Sequence, residues 1–128
     1  MGKNKCVLVV DDEPGILRVL SIQLRLHGYD AVTTLSGTEA VELVRTREPD
    51  IVLLDILLPD MNGFEVLEKV RGFSQVPVIV FSASQSAVAL APLAGATASI
   101  SKPFNPDQLL GKIKSVLEAH KPPNRSSN

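Results

Sequence analysis

The sequence predicts an α/β fold, a doubly wound five-stranded parallel sheet, and three observations predict it. Five short strand-like runs recur along the chain, stretches of helical periodicity separate them, and four of the five runs end in a polar or charged residue. The strongest run, Ile51-Val52-Leu53-Leu54, ends on Asp55 and then breaks at Pro59-Asp60-Met61-Asn62-Gly63. A run that apolar is a strand buried on both faces. Its last residue emerges at the carboxyl edge of the sheet, where open α/β sheets bind ligands. Nothing in its own strand neutralises the Asp55 carboxylate, so another part of the chain must.

Taken in order, Lys5-Cys6-Val7-Leu8-Val9-Val10 is the first strand, and Asp11-Asp12-Glu13 follows it at once. Pro14 suits the first turn of a helix, whose stripe is Ile16, Leu17, Leu20 and Leu24 and whose end is His27-Gly28. Asp30 to Leu35 is a short strand. Ser36-Gly37-Thr38-Glu39 is a capping-box signature opening a helix through Ala40, Val41, Leu43 and Val44, which Glu48-Pro49-Asp50 breaks. After Asp55, Asn62 caps a helix from Gly63 to Val70 with Phe64, Val66, Leu67 and Val70 as its core side. Val76 to Phe81 is the fourth strand, followed by Ser82-Ala83, and Pro77 fits there only at a strand start or an unpaired edge. Gln85 to Gly95 is a weaker helical stretch interrupted by Pro92, and Thr97 to Ser101 is a marginal fifth strand ending in Lys102-Pro103. Asn105-Pro106 starts the last helix, whose apolar face is Leu109, Leu110, Ile113, Val116 and Leu117.

A chain of 128 residues makes one domain, expected over residues 5–119, with residues 120–128 as a tail or linker. At 45% hydrophobic, 21% charged and net charge −1, it carries no electrostatic footprint for nucleic acid and no polybasic patch for a membrane. The single cysteine, Cys6, excludes an internal disulfide and is expected to be a small buried hydrophobe. Met1 to Lys5 leads into too few apolar residues for a signal peptide, so a cytoplasmic protein is expected.

In a parallel sheet Asp11, Asp12, Asp55, Ser82 and Lys102 all come to one edge. Clustered carboxylates repel one another, and Mg²⁺ is the natural remedy, since it takes oxygen ligands and is held by one or two carboxylates plus phosphate oxygens. Lys102 adds a fixed positive charge and Ser82 a hydroxyl. Acids, metal, ammonium and hydroxyl are the equipment of phosphoryl transfer, which runs on positioning and charge stabilisation. Each piece alone has a plainer explanation as cap, turn or solvated surface; their conjunction at four strand ends carries the argument.

From Lys5 to about Ala119 the chain resembles a receiver (response-regulator) domain of two-component signalling. The landmarks are Val10-Asp11-Asp12-Glu13-Pro14, then Asp55 with Leu58-Pro59-Asp60-Met61-Asn62-Gly63 behind it. Pro77-Val78-Ile79-Val80-Phe81-Ser82-Ala83, Ala94-Gly95-Ala96 and Lys102-Pro103-Phe104 complete the set. The resemblance implies the flavodoxin-like strand order 2-1-3-4-5, which the chemotaxis receiver exemplifies. It implies Asp55 as phosphoacceptor, and Mg²⁺ held by Asp11, Asp12, Asp55 and the backbone carbonyl of Leu57. Ser82 and Lys102 would bind the phosphoryl oxygens, and Lys102-Pro103 would be cis. The implied role is a phosphoacceptor that assists its own phosphorylation and dephosphorylation, not an enzyme acting on a separate substrate. Its implied partners are a histidine kinase or phosphotransfer protein and a downstream output protein or domain.

The chain also departs from the family pattern. Ser99 stands where the family usually has Tyr or Phe, Ser82 and Lys102 are closer in sequence than usual, and residues 72–101 contain no charge. Residues 84–101 are therefore expected to be the most irregular part of the fold and its partner-binding face, a homodimer included. A metal-dependent phosphatase on a similar sheet would carry Asp-x-Asp after its first strand, where this chain has adjacent acids. A flavin-binding module would need a phosphate cradle where Asp11-Asp12-Glu13 repels phosphate. A receiver-like domain blind to phosphate would not need the acid, serine and lysine set.

Overall fold

The apolar runs pair side by side in a computed structural model that describes residues 4–120. The elements are β1 (Cys6–Val10), α1 (Pro14–Leu26), β2 (Asp30–Thr34), α2 (Gly37–Arg47), β3 (Ile51–Asp55), α3 (Gly63–Arg71), β4 (Val78–Ser82), α4 (Gln85–Leu90), β5 (Ala98–Ser101) and α5 (Pro106–Ala119). The five strands form one parallel sheet of order β2-β1-β3-β4-β5, as expected. Successive residues point to opposite faces. Leu8, Val10, Val52, Leu54, Val78 and Val80 pack under α2 and α3, while Val7, Val9, Ile51, Leu53, Ile79 and Phe81 pack under α1 and α5. Two cores, one sheet between them: that requires β3 and β4 to be apolar up to their last residues, Asp55 and Ser82, and both are buried along their whole length. No helix among the described residues is long and apolar enough to cross a membrane.

The helix starts follow their capping chemistry. Ser36, Asn62, Ser84 and Asn105 each accept a backbone N–H of the first turn, and Pro106 opens α5. The capping box is reciprocal at Asn62 and Glu65. At Ser36 only half of it forms, because Glu39 turns back to the Thr34 hydroxyl. Pro77 precedes β4 and its carbonyl accepts the Val52 N–H at 2.9 Å, so it stands at a strand start.

Some expected core positions lie at the margin. Ile16, Leu43, Phe64, Leu110 and Leu117 are half-buried, flanking the fully buried members of their stripes. Cys6 is half-buried rather than buried, because it opens β1 at the rim beside Asp50, whose carboxylate accepts its N–H at 2.7 Å. The 84–101 stretch is irregular as expected: α4 has six residues and runs into a 3₁₀ turn, Ala91–Ala94, where Pro92 has no N–H to continue an α-helix. Its apolar side chains divide. Ala87 and Ala91 enter the core, whereas Leu90 and Leu93 are 52% and 85% exposed. The expected tail, residues 120–128, lies outside the described residues apart from His120, whose N–H caps α5 on Val116.

Candidate functional site

Each strand end delivers its polar residue to the same edge. Asp11 follows β1, Asp55 closes β3, Ser82 closes β4 and Lys102 follows β5. The register pairs Val10 with Leu54 and Ser82 with Ser101, which levels these ends with one another. Asp11 and Ser82 are fully buried and Asp55 is 4% exposed, whereas Asp12 is exposed. The lysine ties the acids together: Lys102 Nζ donates to Asp11 Oδ2 at 3.0 Å and to Asp55 Oδ2 at 3.2 Å. It also lies 4.9 Å from the centre of the Phe81 ring, which Phe104 meets edge-on. The other oxygens of the two acids face backbone donors, Glu13 N–H at 2.8 Å on Asp11 Oδ1 and Leu57 N–H at 3.2 Å on Asp55 Oδ1. Ser82 Oγ accepts the Ser84 N–H at 3.1 Å. The Lys102-Pro103 bond is cis.

The electrostatics are unbalanced. Burial pushes the Asp55 pKa up, the Asp11 charge adds to that, and the Leu57 N–H and Lys102 only partly oppose it. For Lys102, burial pulls the pKa down, but its bonds and charge interactions with Asp11 and Asp55 outweigh that and hold it above the usual lysine value. One oxygen from each of Asp11, Asp12 and Asp55 can be chosen so that all lie within 4.8 Å of one another. Three carboxylates against one ammonium leave two negative charges uncompensated. All-oxygen donors of that charge fit a hard divalent cation such as Mg²⁺. Beside the acids opens an apolar cleft of about 960 Å³, lined by Ile16, Val19, Leu20 and Phe104 with Asp12 and Lys102 at its polar end.

Of the expected site residues, Asp11, Asp12, Asp55, Ser82 and Lys102 come to one edge; Leu57, expected to act through its carbonyl, bonds Asp55 through its N–H. Ser99 lies half-buried on β5 opposite Val80. One set of contacts beside the site has no signal in the sequence. Asp60 accepts the N–H groups of Gly37 and Thr38, each at 2.9 Å, and the Ser36 hydroxyl at 3.0 Å. Its carboxyl is held well below the usual range, first by the Thr38 N–H and then by that of Gly37. These partners lie 22 to 24 positions away, so no local pattern announces them.

The family model of the response regulator receiver domain matches residues 7–114. The transcriptional regulatory protein KdpE of Mycobacterium tuberculosis (strain CDC 1551 / Oshkosh) is 42% identical over 113 residues, 87% of this chain and 50% of that protein. The chain thus spans about half the length of the curated relatives it matches. Among solved structures, a CheY-like response regulator receiver domain protein from Methanospirillum hungatei JF-1 superposes with TM-score 0.86 at 33% identity, over 91% of this chain and 96% of that one. The BeF₃-activated N-terminal receiver domain of Klebsiella pneumoniae RstA gives TM-score 0.83 at 30% identity, over 88% and 98% of the two chains.

Proposed function

This chain belongs to the response regulator receiver domain family of two-component systems, and from that premise we propose that Asp55 accepts a phosphoryl group from a histidine kinase or phosphotransfer protein. The observation that carries this is the lysine bridge, Lys102 Nζ within 3.2 Å of both a buried Asp11 and a buried Asp55, with Asp12 and Ser82 on the same edge. A carboxylate oxygen of Asp55 attacks the phosphorus of a phosphohistidine. The O–P bond forms, the N–P bond breaks, and the leaving imidazole nitrogen keeps the electron pair and takes up a proton. Lys102 then turns from the carboxylates to the transferred oxygens, and Ser82 donates its hydroxyl to them. Asp11, Asp12, Asp55 and the Leu57 carbonyl would hold Mg²⁺, which when bound neutralises the acids and the incoming phosphoryl oxygens. The chain is a phosphoacceptor that assists its own phosphorylation and dephosphorylation, rather than an enzyme with a separate substrate. The apolar cleft beside Asp12 and Lys102 suits docking of the phosphodonor.

The receiver comprises residues 5–119, followed by a tail or linker, and acts in the cytoplasm. Its signal passes to an output protein or domain, or to a second copy of the chain, through residues 84–101. Ser99 cannot supply a ring flip. Instead Ser82, drawn to the phosphoryl group, pulls on the Ser84 N–H and with it the start of α4. Leu90 and Leu93 stand exposed on that segment and form the surface whose packing changes. Incubation with Mg²⁺ and a small phosphodonor, read by intact mass, tests the chemistry. Wild type gains one phosphoryl group and Asp55→Asn none; uptake by the variant at the wild-type rate refutes the assignment.

A further inference from the structure

Asp60 is exposed, yet among the described residues it is the most heavily hydrogen-bonded carboxylate. As a cap for α2 it is partly redundant, because Ser36 already accepts the Glu39 N–H at 3.1 Å. What it adds is a connection between distant parts. Asp60 belongs to the loop that leaves Asp55 and carries Leu57. Its neighbours Leu58 and Met61 lie against Gly37, where an added methyl group would come within 2.7 Å of Met61 Cγ and 3.3 Å of Leu58 Cδ1. The loop is thus seated on the start of α2 by packing and held there by the carboxylate.

From Ser36 the connection runs back to the acids. Ser36 N–H donates to the Thr34 hydroxyl at 3.1 Å, and the Thr34 carbonyl accepts the Asp11 N–H at 3.2 Å. Asp11 and Asp55 are joined in turn through Lys102. The circuit closes around the acid cluster. We infer that Asp60 is a positioning residue for the phosphoacceptor site: it fixes the loop carrying Leu57 relative to the strand end carrying Asp11. This rests on the function proposed above. Asp60 bonds none of the ligands directly and acts on them through the backbone it pins, one step further out than a partner that hydrogen-bonds a ligand.

The test compares wild type, Asp60→Ala and Asp60→Asn in the full chain. Mg²⁺ affinity is measured by calorimetric titration, phosphoryl uptake by intact mass with a small phosphodonor, and metal-free melting temperature alongside. Asp60→Ala is expected to weaken Mg²⁺ binding and slow uptake by about tenfold, the lower end for outer-shell partners. Asp60→Asn, which loses the charge but retains one acceptor oxygen, is expected to lose less, and it supplies the readout if the alanine variant does not fold. A lower metal-free melting temperature with Mg²⁺ affinity and uptake within about twofold of wild type would make Asp60 a helix cap and nothing more, and overturn the inference. A wild-type chain that takes up neither Mg²⁺ nor phosphoryl overturns the proposed function itself, an outcome distinct from a reactive wild type with unaffected variants.

Discussion

Replacing Lys102 by methionine keeps an unbranched apolar stem, with sulfur in place of one methylene, and removes the ammonium. Asp11 is fully buried, Asp55 is 4% exposed and the Lys102 side chain 19% exposed, so the variant leaves two close carboxylates out of water with no cation between them. Breaking a buried ion pair by deleting one partner costs about 3–5 kcal/mol. For a domain of this size each kcal/mol moves the melting temperature by roughly 3–5 °C, so a fall of roughly 10–20 °C is expected in a chelator at neutral pH. Two conditions should reverse it. Mg²⁺ at about a hundredfold excess over its dissociation constant returns about 2.7 kcal/mol by mass action. The increment should exceed that of wild type, because no ammonium competes for the same oxygens. Acid should also help: burial already raises the Asp55 pKa, and removing Lys102 raises it further. The folded state then binds the proton more tightly than the unfolded chain, so the penalty is full above the folded pKa, shrinks as pH falls through it, and is gone below the unfolded carboxylate pKa. Thermal unfolding in chelator, in Mg²⁺ and across pH measures all three. A variant within about 1 kcal/mol of wild type in chelator, or one gaining no more than wild type from Mg²⁺, would refute the uncompensated-acid argument.

Asp55→Asn should raise the metal-free melting temperature at neutral pH, and the gain should shrink as acid protonates wild-type Asp55; a gain independent of pH would contradict the raised pKa. Gly63→Ala should destabilise by about 2–3 kcal/mol in denaturant titration, because the new Cβ would lie 2.6 Å from Asp55 O and from Ile56 Cα. Leu93, 85% exposed, should tolerate glutamate with a stability change under about 0.5 kcal/mol. In sedimentation the phosphorylated wild type is expected to dimerise and Leu93→Glu to remain monomeric; equal association of the two would move the interface elsewhere.

The strands of this protein were legible because burial on both faces leaves no room for polar residues, as Ile51 to Leu54 and Val78 to Phe81 show. Their polar ends were legible for the complementary reason. A parallel sheet sends every strand's last residue to one edge, so Asp55, Ser82 and the acids after Val10 could be gathered without coordinates. The cap residues themselves were readable, as Asn62 and Asn105 show, because each accepts an N–H of its own first turn.

Contacts between different elements were decided by the tertiary structure. Glu39 has the spacing of a capping box yet turns to Thr34, because β2 brings that hydroxyl alongside. Leu90 and Leu93 are more apolar than Ala87 and Ala91, yet the shortened α4 with its 3₁₀ turn buries the alanines and leaves the leucines facing outward. Asp60 reads in sequence as a turn residue, but the fold sets it on the first N–H groups of α2. Composition and periodicity determine which residues must be buried and where each chain segment ends. The pairing of one exposed polar group with another depends on their separation in space, which one-dimensional order does not encode until the strands have aligned.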